Sequence, residues 1–128
     1  MSTSQLIVKS VFQRIIGREV LHNIRPNFMK NPITRRNLEL DIYDPVEKIA
    51  IEYNGIQHYF YVEKFHKSYN DFVDQQERDV IKKRLCMNNN IHLIVVPYYI
   101  FKYDRNIDIK QKKENIVQLE TFLRDMLP

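Results

Sequence analysis

The sequence of 128 residues has only two glycines, one cysteine and no tryptophan. The single cysteine, Cys86, excludes an internal disulfide and a zinc site built from several cysteines. No apolar run reaches the roughly 18 residues that a membrane span needs, and the N-terminal segment lacks the pattern of a signal peptide. We therefore expect an intracellular protein, cytoplasmic or nuclear, with no membrane partner.

The rest of the composition is that of a globular protein with a weak preference for polyanions. Apolar residues make up 44% of the chain, enough for a hydrophobic core, and the length predicts one domain over residues 1–128. The net charge of +4 favours polyanions only mildly. Few glycines and many Ile, Asn, Lys and Tyr residues suggest an AT-rich coding sequence, which fits a virus, a phage or an AT-rich microbe.

Two alternating segments predict a β-hairpin that brings two carboxylates together. Residues 38–43 and 48–53 alternate apolar and polar side chains, and residues 44–47 between them have turn chemistry. Strand side chains alternate between faces, so the apolar ones share a buried face only if Asp41 and Glu52 share the other. A turn centred on the middle of that segment sets Asp41 opposite Glu52. The apolar residues assigned to the buried face are Leu38, Leu40, Ile42, Ile49, Ile51 and Tyr53.

The facing carboxylates predict a divalent cation site. Like charges directly opposite each other on neighbouring strands are destabilising, and Mg²⁺ binds one or two carboxylates together with waters and phosphate oxygens. The residues also allow two solvated acids, or acids paired to Lys48 and Arg36. His58 follows Glu52 after a short loop in which Gly55 is expected to bend the chain sharply. It is then within reach as an acid, a base or a phosphate contact.

The segments before and after the hairpin are predicted to be helices and connectors. Residues 4–24 have helical spacing, with Ser4 as a candidate cap and Gly17 as a point of division. The proline-containing connector 25–37 is basic and could neutralise phosphates. Residues 59–68 are aromatic and basic without a clear period, and we expect most of these aromatic side chains in the core.

Downstream, the periodicity predicts a helix, a strand and a second helix. Residues 69–87 form the clearest helix, and residues 91–96 are the continuous apolar run of a strand buried on both faces. A helical crossover places that strand in the same sheet as the hairpin. The helix stripe expected in the core is Val73, Val80, Ile81 and Leu85, and the C-terminal helix should bury Ile116, Leu119, Phe122, Leu123 and Met126. The fold class is α/β, a sandwich with a central mixed β-sheet flanked by helices.

Asp41 and the run EYNGIQHY at 52–59 resemble the core of the PD-(D/E)XK nuclease superfamily. The closest likeness is to the branch of very-short-patch-repair-like and EDxHD homing endonucleases, and it continues through residues 78–98. Upstream, residues 17–19 resemble the start of a helix in that branch. The resemblance implies a restriction-endonuclease-like fold and a metal-dependent DNA endonuclease that uses Mg²⁺ or Mn²⁺. Both nicking and double-strand cleavage stay open: one small domain has one site, and a homodimer would be needed for double-strand cleavage.

The same resemblance assigns roles to individual residues. Asp41 and Glu52 would hold the metal ion, His58 would be the general acid or base or a phosphate contact, and Glu19 and Asp79 would orient waters or His58. The candidate catalytic residues are thus Glu19, Asp41, Glu52, His58 and Asp79. The candidate DNA contacts are Arg35, Arg36, Asn54, Gln57, Lys82 and Lys83.

One departure from the superfamily pattern leaves a second reading open. Asn54 stands where the (D/E)XK motif has lysine, so the role of that lysine would pass to Gln57 or His58. The alternative is a catalytically inactive nuclease-fold module that binds nucleic acid or protein. In that reading the carboxylate pair is residual and binds metal weakly.

Overall fold

A computed structural model describes all 128 residues. The elements in chain order are α1 (Thr3–Ile16), β1 (Leu21–Ile24), β2 (Leu40–Asp44), β3 (Ile49–Asn54), α2 (Tyr69–Asn88), β4 (His92–Pro97) and α3 (Ile109–Met126), with single 3-10 turns at Asn27–Met29 and Ile56–His58. The strands form one sheet in the order β1-β2-β3-β4. Only β3 and β4 are parallel. The predicted mixed α/β architecture is confirmed.

The hairpin of β2 and β3 has the predicted register. Ile42 lies opposite Ile51 and Asp44 opposite Ile49, which is the register that sets Asp41 opposite Glu52. Asp44 stabilises the turn because its carboxylate accepts hydrogen bonds from the N–H groups of Val46 at 3.1 Å and Glu47 at 3.4 Å.

Helices cover both faces of the sheet, so both sets of alternating side chains are buried. α1 and α3 pack on the face that carries Ile42 and Ile51. The opposite face, which carries Tyr43 and Ala50, packs against α2 and the 3-10 turn at Asn27–Met29. The prediction of a single buried face was wrong for Leu38 and Leu40, which pack in this second cluster. A hairpin read alone predicts one buried face, because the covering helix lies further along the chain.

The N-terminal region corrects the predicted helix 4–24. Ser2, not Ser4, caps α1 in a capping box with Gln5. Gly17 ends the helix in the left-handed conformation, with φ of 76°. Residues 21–24, which continued the helical spacing, instead form β1 and pair with β2. Sheet pairing satisfies their backbone groups and overrides the local apolar pattern.

The predicted helix at 69–87 is confirmed as α2, but its buried stripe differs from the prediction. Val80 is 56% exposed. The helix instead buries Phe72 and Cys86, and polar side chains lie between them on the covered side. Ile81 and Leu85 of the predicted stripe do pack against the second cluster, so the predicted stripe is confirmed for these two residues and wrong for Val80.

The last strand and helix follow the prediction with two exceptions. Ile94 and Val96 of β4 are fully buried, but His92 is exposed and its Nε2 bonds the carbonyl of Met126 at 2.8 Å. In α3, Leu119 and Leu123 are fully buried, whereas Met126 is 43% exposed. None of the three helices is long and apolar enough to cross a membrane.

Candidate active site

The two predicted carboxylates meet where β2 and β3 diverge. The N–H of Asp41 donates to Glu52 Oε2 at 2.7 Å, and the N–H of Tyr53 donates to Asp41 Oδ2 at 3.0 Å. Each carboxylate thus accepts the amide proton of the opposite strand, where a ladder would use a backbone carbonyl. The exchange fixes both side chains at one edge of the hairpin.

Glu52 is buried, and its charge partner comes from α2. The carboxylate is only 5% exposed, and its Oε1 is hydrogen-bonded to the ammonium of Lys82. Burial raises the pKa of Glu52 to about 7, with Lys82 acting to lower it and the nearby Asp41 to raise it. Glu52 therefore changes charge close to neutral pH.

His58 and Asp79 form a second polar pair beside α2. His58 Nδ1 lies 2.9 Å from Asp79 Oδ2, and both side chains are partly buried. The other ring nitrogen, Nε2, lies 3.3 Å from the amide nitrogen of Gln75. The structure brings together the histidine and the acid that the family resemblance paired.

One side of α2 supplies the partners of both Glu52 and His58. Gln75, Asp79 and Lys82 follow each other at spacings of four and three residues, so they project from one side of the helix. Sequence reasoning placed Lys82 on a DNA-facing surface and did not select Gln75. The signal was present as a polar stripe at helical spacing, but it is indistinguishable from a solvated face until the sheet is seen to cover it.

In the loop after β3, the side chain of Gln57 lies against Gly55. Gly55 has φ of −67°, a conformation open to any residue, and it begins the 3-10 turn that carries His58. A Cβ atom added at Gly55 would collide with the carboxamide of Gln57. Gln57 therefore folds back over the glycine, next to the start of the turn that carries His58.

The remaining predicted residues lie outside this constellation. Glu19 is exposed on the connector between α1 and β1, not on a helix. Arg35, Arg36 and Lys83 are exposed, and no side-chain hydrogen bond or ion pair engages them. They are thus available to an anionic ligand. Asn54 is half-buried at the end of β3.

The aromatic side chains of residues 59–68 are more exposed to solvent than predicted. Phe60 and Phe65 are more than half exposed, and Tyr59 and Tyr61 are exposed too. Tyr59 packs against Tyr98 with ring centroids 5.7 Å apart. In contrast to these aromatic side chains, His66 is buried, at 5% exposure.

The donor set fits a hard divalent cation with an incomplete protein shell. No three His, Cys, Asp or Glu side chains cluster closely enough to enclose a metal ion. Two carboxylates suffice for Mg²⁺, which keeps waters and substrate oxygens in its remaining positions. Cys86 is buried, and burial raises the pKa of its thiol to about 11.

A separate ion pair anchors the turn of the hairpin. Arg18 donates to both carboxylate oxygens of the fully buried Asp44. Burial favours a higher pKa for Asp44, but the hydrogen bonds from Arg18, Val46 and Glu47 outweigh it and lower the pKa. The connector after α1 is thereby fixed to the tip of the hairpin.

Comparisons with known proteins find three viral relatives of no stated function. The uncharacterized proteins 307L of Invertebrate iridescent virus 6 and 033L of Invertebrate iridescent virus 3 are both 46% identical, over 87 and 76 residues, covering 64% and 59% of this chain. Uncharacterized protein 094L of Frog virus 3 is 42% identical over 100 residues, 77% of this chain. The chain spans 44%, 39% and 64% of these relatives in turn. No protein-family model and no solved structure matches it.

Proposed function

We propose that this protein is a Mg²⁺-dependent DNA endonuclease with a restriction-endonuclease-like fold, of the homing or very-short-patch-repair-like type. The observation that carries the proposal is the convergence of Asp41 and Glu52 from adjacent strands, with Lys82 bonded to Glu52. Like charges so close repel each other, and a divalent cation bound beside Lys82 would offset that repulsion. The pair of His58 with Asp79, whose acid lies on the same helix as Lys82, adds a group that can move a proton.

Asp41 and Glu52 would hold the metal ion. Bound Mg²⁺, or Mn²⁺ in its place, polarises a phosphodiester and stabilises the charge that develops during hydrolysis. The hydrogen bonds from the backbone of Asp41 and Tyr53 fix the carboxylates before any ligand binds. This preorganisation lowers the cost of assembling the site.

Lys82 provides the cationic group that the sequence lacks at position 54. It reaches Glu52 from α2, not from β3, and its side chain is only 17% exposed. A lysine ammonium is a compact point charge suited to a phosphate oxygen. We assign to it the role for which the sequence had offered Gln57 or His58.

His58 acts as the group that transfers a proton. With Asp79 accepting a hydrogen bond from Nδ1–H, the lone pair of the neutral ring lies on Nε2. Nε2 can accept a proton from the attacking water or return one to the leaving oxygen. Asp79 orients the ring and stabilises its charged form, and Glu19 remains a proposed water-orienting residue from an exposed position.

DNA would be held by exposed basic side chains and by polar side chains next to the carboxylates. Arg35, Arg36 and Lys83 are free to contact phosphates, and Asn54 and Gln57 flank the carboxylates as candidates for closer contacts. A single copy has one site, so it would nick one strand. A homodimer would cut both strands.

A plasmid-nicking assay tests the proposal. Supercoiled DNA is incubated with Mg²⁺ or Mn²⁺ and the wild type, Asp41→Ala, Glu52→Ala or the exposed control Glu77→Ala. We expect open circles with the wild type and the control, and none with either site variant or with EDTA. Equal nicking by all four proteins, or none by the wild type on any DNA, would contradict the proposal.

The inactive-module alternative has one observation in its favour. Both oxygens of Glu52 are already engaged by groups of the chain itself, and its pKa is near 7. A cation must therefore compete with Lys82 and with a proton. If this alternative holds, DNA binding is unaffected by EDTA and by both site substitutions, and no cleavage accompanies it.

A further inference from the structure

A continuous chain of hydrogen bonds runs from Asp79 through His58 and Gln75 to the buried His66. Asp79 Oδ2 lies 2.9 Å from His58 Nδ1, and the Gln75 amide nitrogen lies 3.3 Å from His58 Nε2. The Gln75 carbonyl oxygen lies 2.9 Å from His66 Nε2. At its end, His66 Nδ1 faces both the N–H and the C=O of Val62, at 3.0 and 3.1 Å.

With both imidazole rings neutral, only one assignment of donors and acceptors satisfies every hydrogen bond from Asp79 to His66. The Gln75 carbonyl accepts a proton from His66 Nε2–H, so its NH₂ end donates to a lone pair on His58 Nε2. The proton of His58 then lies on Nδ1 and is donated to Asp79. His66, with its proton on Nε2, accepts from the Val62 N–H at Nδ1.

A second order is available when His58 holds a proton on Nε2. If the Gln75 amide turns over, its oxygen accepts from His58 and its NH₂ donates to His66 Nε2. His66 then carries its one proton on Nδ1 and donates it to the Val62 carbonyl, which already lies within reach. His58 gains one proton and His66 keeps its proton count, while the Val62 carbonyl replaces the Val62 N–H as the partner of His66 Nδ1.

We propose that Gln75 and His66 are positioning residues that set where His58 carries its protons. This inference rests on the proposed function only for the use made of His58. His66 suits the role because it is buried, stacked on Tyr61 and edge-on to Phe72, so its ring is held in place while its tautomer changes.

The electrostatic surroundings leave Asp79 as the sole charged side chain bonded to His58. The cleft around Gln75 is also lined by Lys67, Asp71, Asp74 and Arg78. The Asp71 carboxylate accepts a hydrogen bond from the N–H of Lys67, and the N–H of Asp71 donates to Ser68 Oγ. The amide of Gln75, not a second charge, therefore decides the state of Nε2.

Histidine side-chain nitrogen NMR tests this directly, because the chain has only four histidines. Removing the exposed His22 and His92 leaves the signals of His58 and His66, and His66→Phe distinguishes these two. At about pH 8, above the ordinary histidine pKa, we expect the Nδ1–H tautomer for His58 and the Nε2–H tautomer for His66. Gln75→Glu places an acceptor on both sides of His58, so we expect signals of a doubly protonated ring at the same pH.

Matched variants make the test decisive. Gln76→Glu adds the same charge on the exposed side of the helix and should leave both tautomers unchanged. Gln75→Met and His66→Phe keep bulk but remove the hydrogen bonds, and should turn His58 into a tautomer mixture. An unchanged His58 spectrum in the folded variants of Gln75 and His66 would overturn the inference.

Nicking measured on the same proteins separates this inference from the proposed function. We expect Gln75→Glu to lower the nicking rate at least about tenfold, without weakening DNA binding, and Gln76→Glu to leave both unchanged. The expected NMR change in a protein that never nicks would count against the nuclease alone. Nicking with an unaltered His58 signal would count against the positioning role alone.

Discussion

Asp41 and Glu52 join the two strands of the hairpin, because the carboxylate of each accepts a hydrogen bond from a backbone N–H of the opposite strand. Asp41 N–H bonds the Glu52 carboxylate, and the Asp41 carboxylate bonds the N–H of Tyr53. The residues that would bind a metal ion are therefore also part of the sheet. Their removal should alter both chemistry and stability.

Removal of the Lys82 ammonium should make stability more sensitive to pH. The pKa of Glu52 is raised to about 7 in the folded protein, so the folded state holds a proton that the unfolded state releases between about pH 4.5 and 7. The free energy of unfolding thus falls as pH rises through this window, by about 3 kcal/mol in total. In Lys82→Met the pKa of Glu52 rises further, and we expect the fall to continue above pH 7.

Urea denaturation at a series of pH values measures this effect. Lys83→Met is the matched control, since it removes the same charge from an exposed side chain on the next position of the helix. Superimposable pH profiles for the two variants would show that the Lys82–Glu52 contact does not govern stability.

The ion pair of Arg18 and Asp44 should stabilise the protein in the opposite pH range. The pKa of Asp44 is lowered in the folded state, so its contribution is present at neutral pH and is lost as pH falls below about 4. We expect Asp44→Asn to lower stability at pH 7 by more than the roughly 0.5 kcal/mol of a surface change. The deficit should shrink on acidification. Thermal unfolding beside the exposed control Asp125→Asn checks both points.

Loss of the Asp79 carboxylate should impair nicking through His58. Asp79→Asn removes the charge that orients the ring at Nδ1 and stabilises its protonated form, and we expect the nicking rate to fall by about 10²- to 10⁴-fold. DNA affinity should change little. Single-turnover nicking and fluorescence anisotropy on one duplex separate the two, with Asp125→Asn again as control. A rate within threefold or so of wild type would exclude a catalytic partnership.

The exposed Arg35 and Arg36 should contribute to DNA binding through phosphates. Each phosphate contact adds about 0.9 to the slope of log affinity against log salt, so the double alanine variant should lower that slope by about 2. Lys110→Ala combined with Lys113→Ala removes two charges from α3, on the opposite side of the sheet. If both pairs change the slope equally, the basic connector is not a specific contact.

The hairpin could be predicted because its register depends on local information. Alternation and a short turn were enough to place Asp41 opposite Glu52. The neighbours of those acids could not be predicted in the same way, because Lys82 lies 30 positions further along the chain and reaches Glu52 only after α2 covers the sheet. For the same reason the burial of Glu52 and its raised pKa were not visible in the sequence.

The N-terminal error has a different physical origin. Apolar spacing continued past Gly17 and predicted a second helix, but a strand partner in β2 was available to residues 21–24. Periodicity describes which side chains can be buried together and does not describe competing backbone partners. Glu19 was assigned to a helix by that error and lies on an exposed connector.

The polar stripe of α2 couples the contact to the carboxylates with the contacts to His58, because one helix carries the side chains that make them. From this helix, Gln75 and Asp79 contact the imidazole of His58, and Lys82 contacts the carboxylate of Glu52. A ligand that slides or rotates the helix by a fraction of a turn would disturb all three contacts together. We expect a displacement of this helix to abolish nicking by disturbing the metal ligands and the proton-transfer group at the same time.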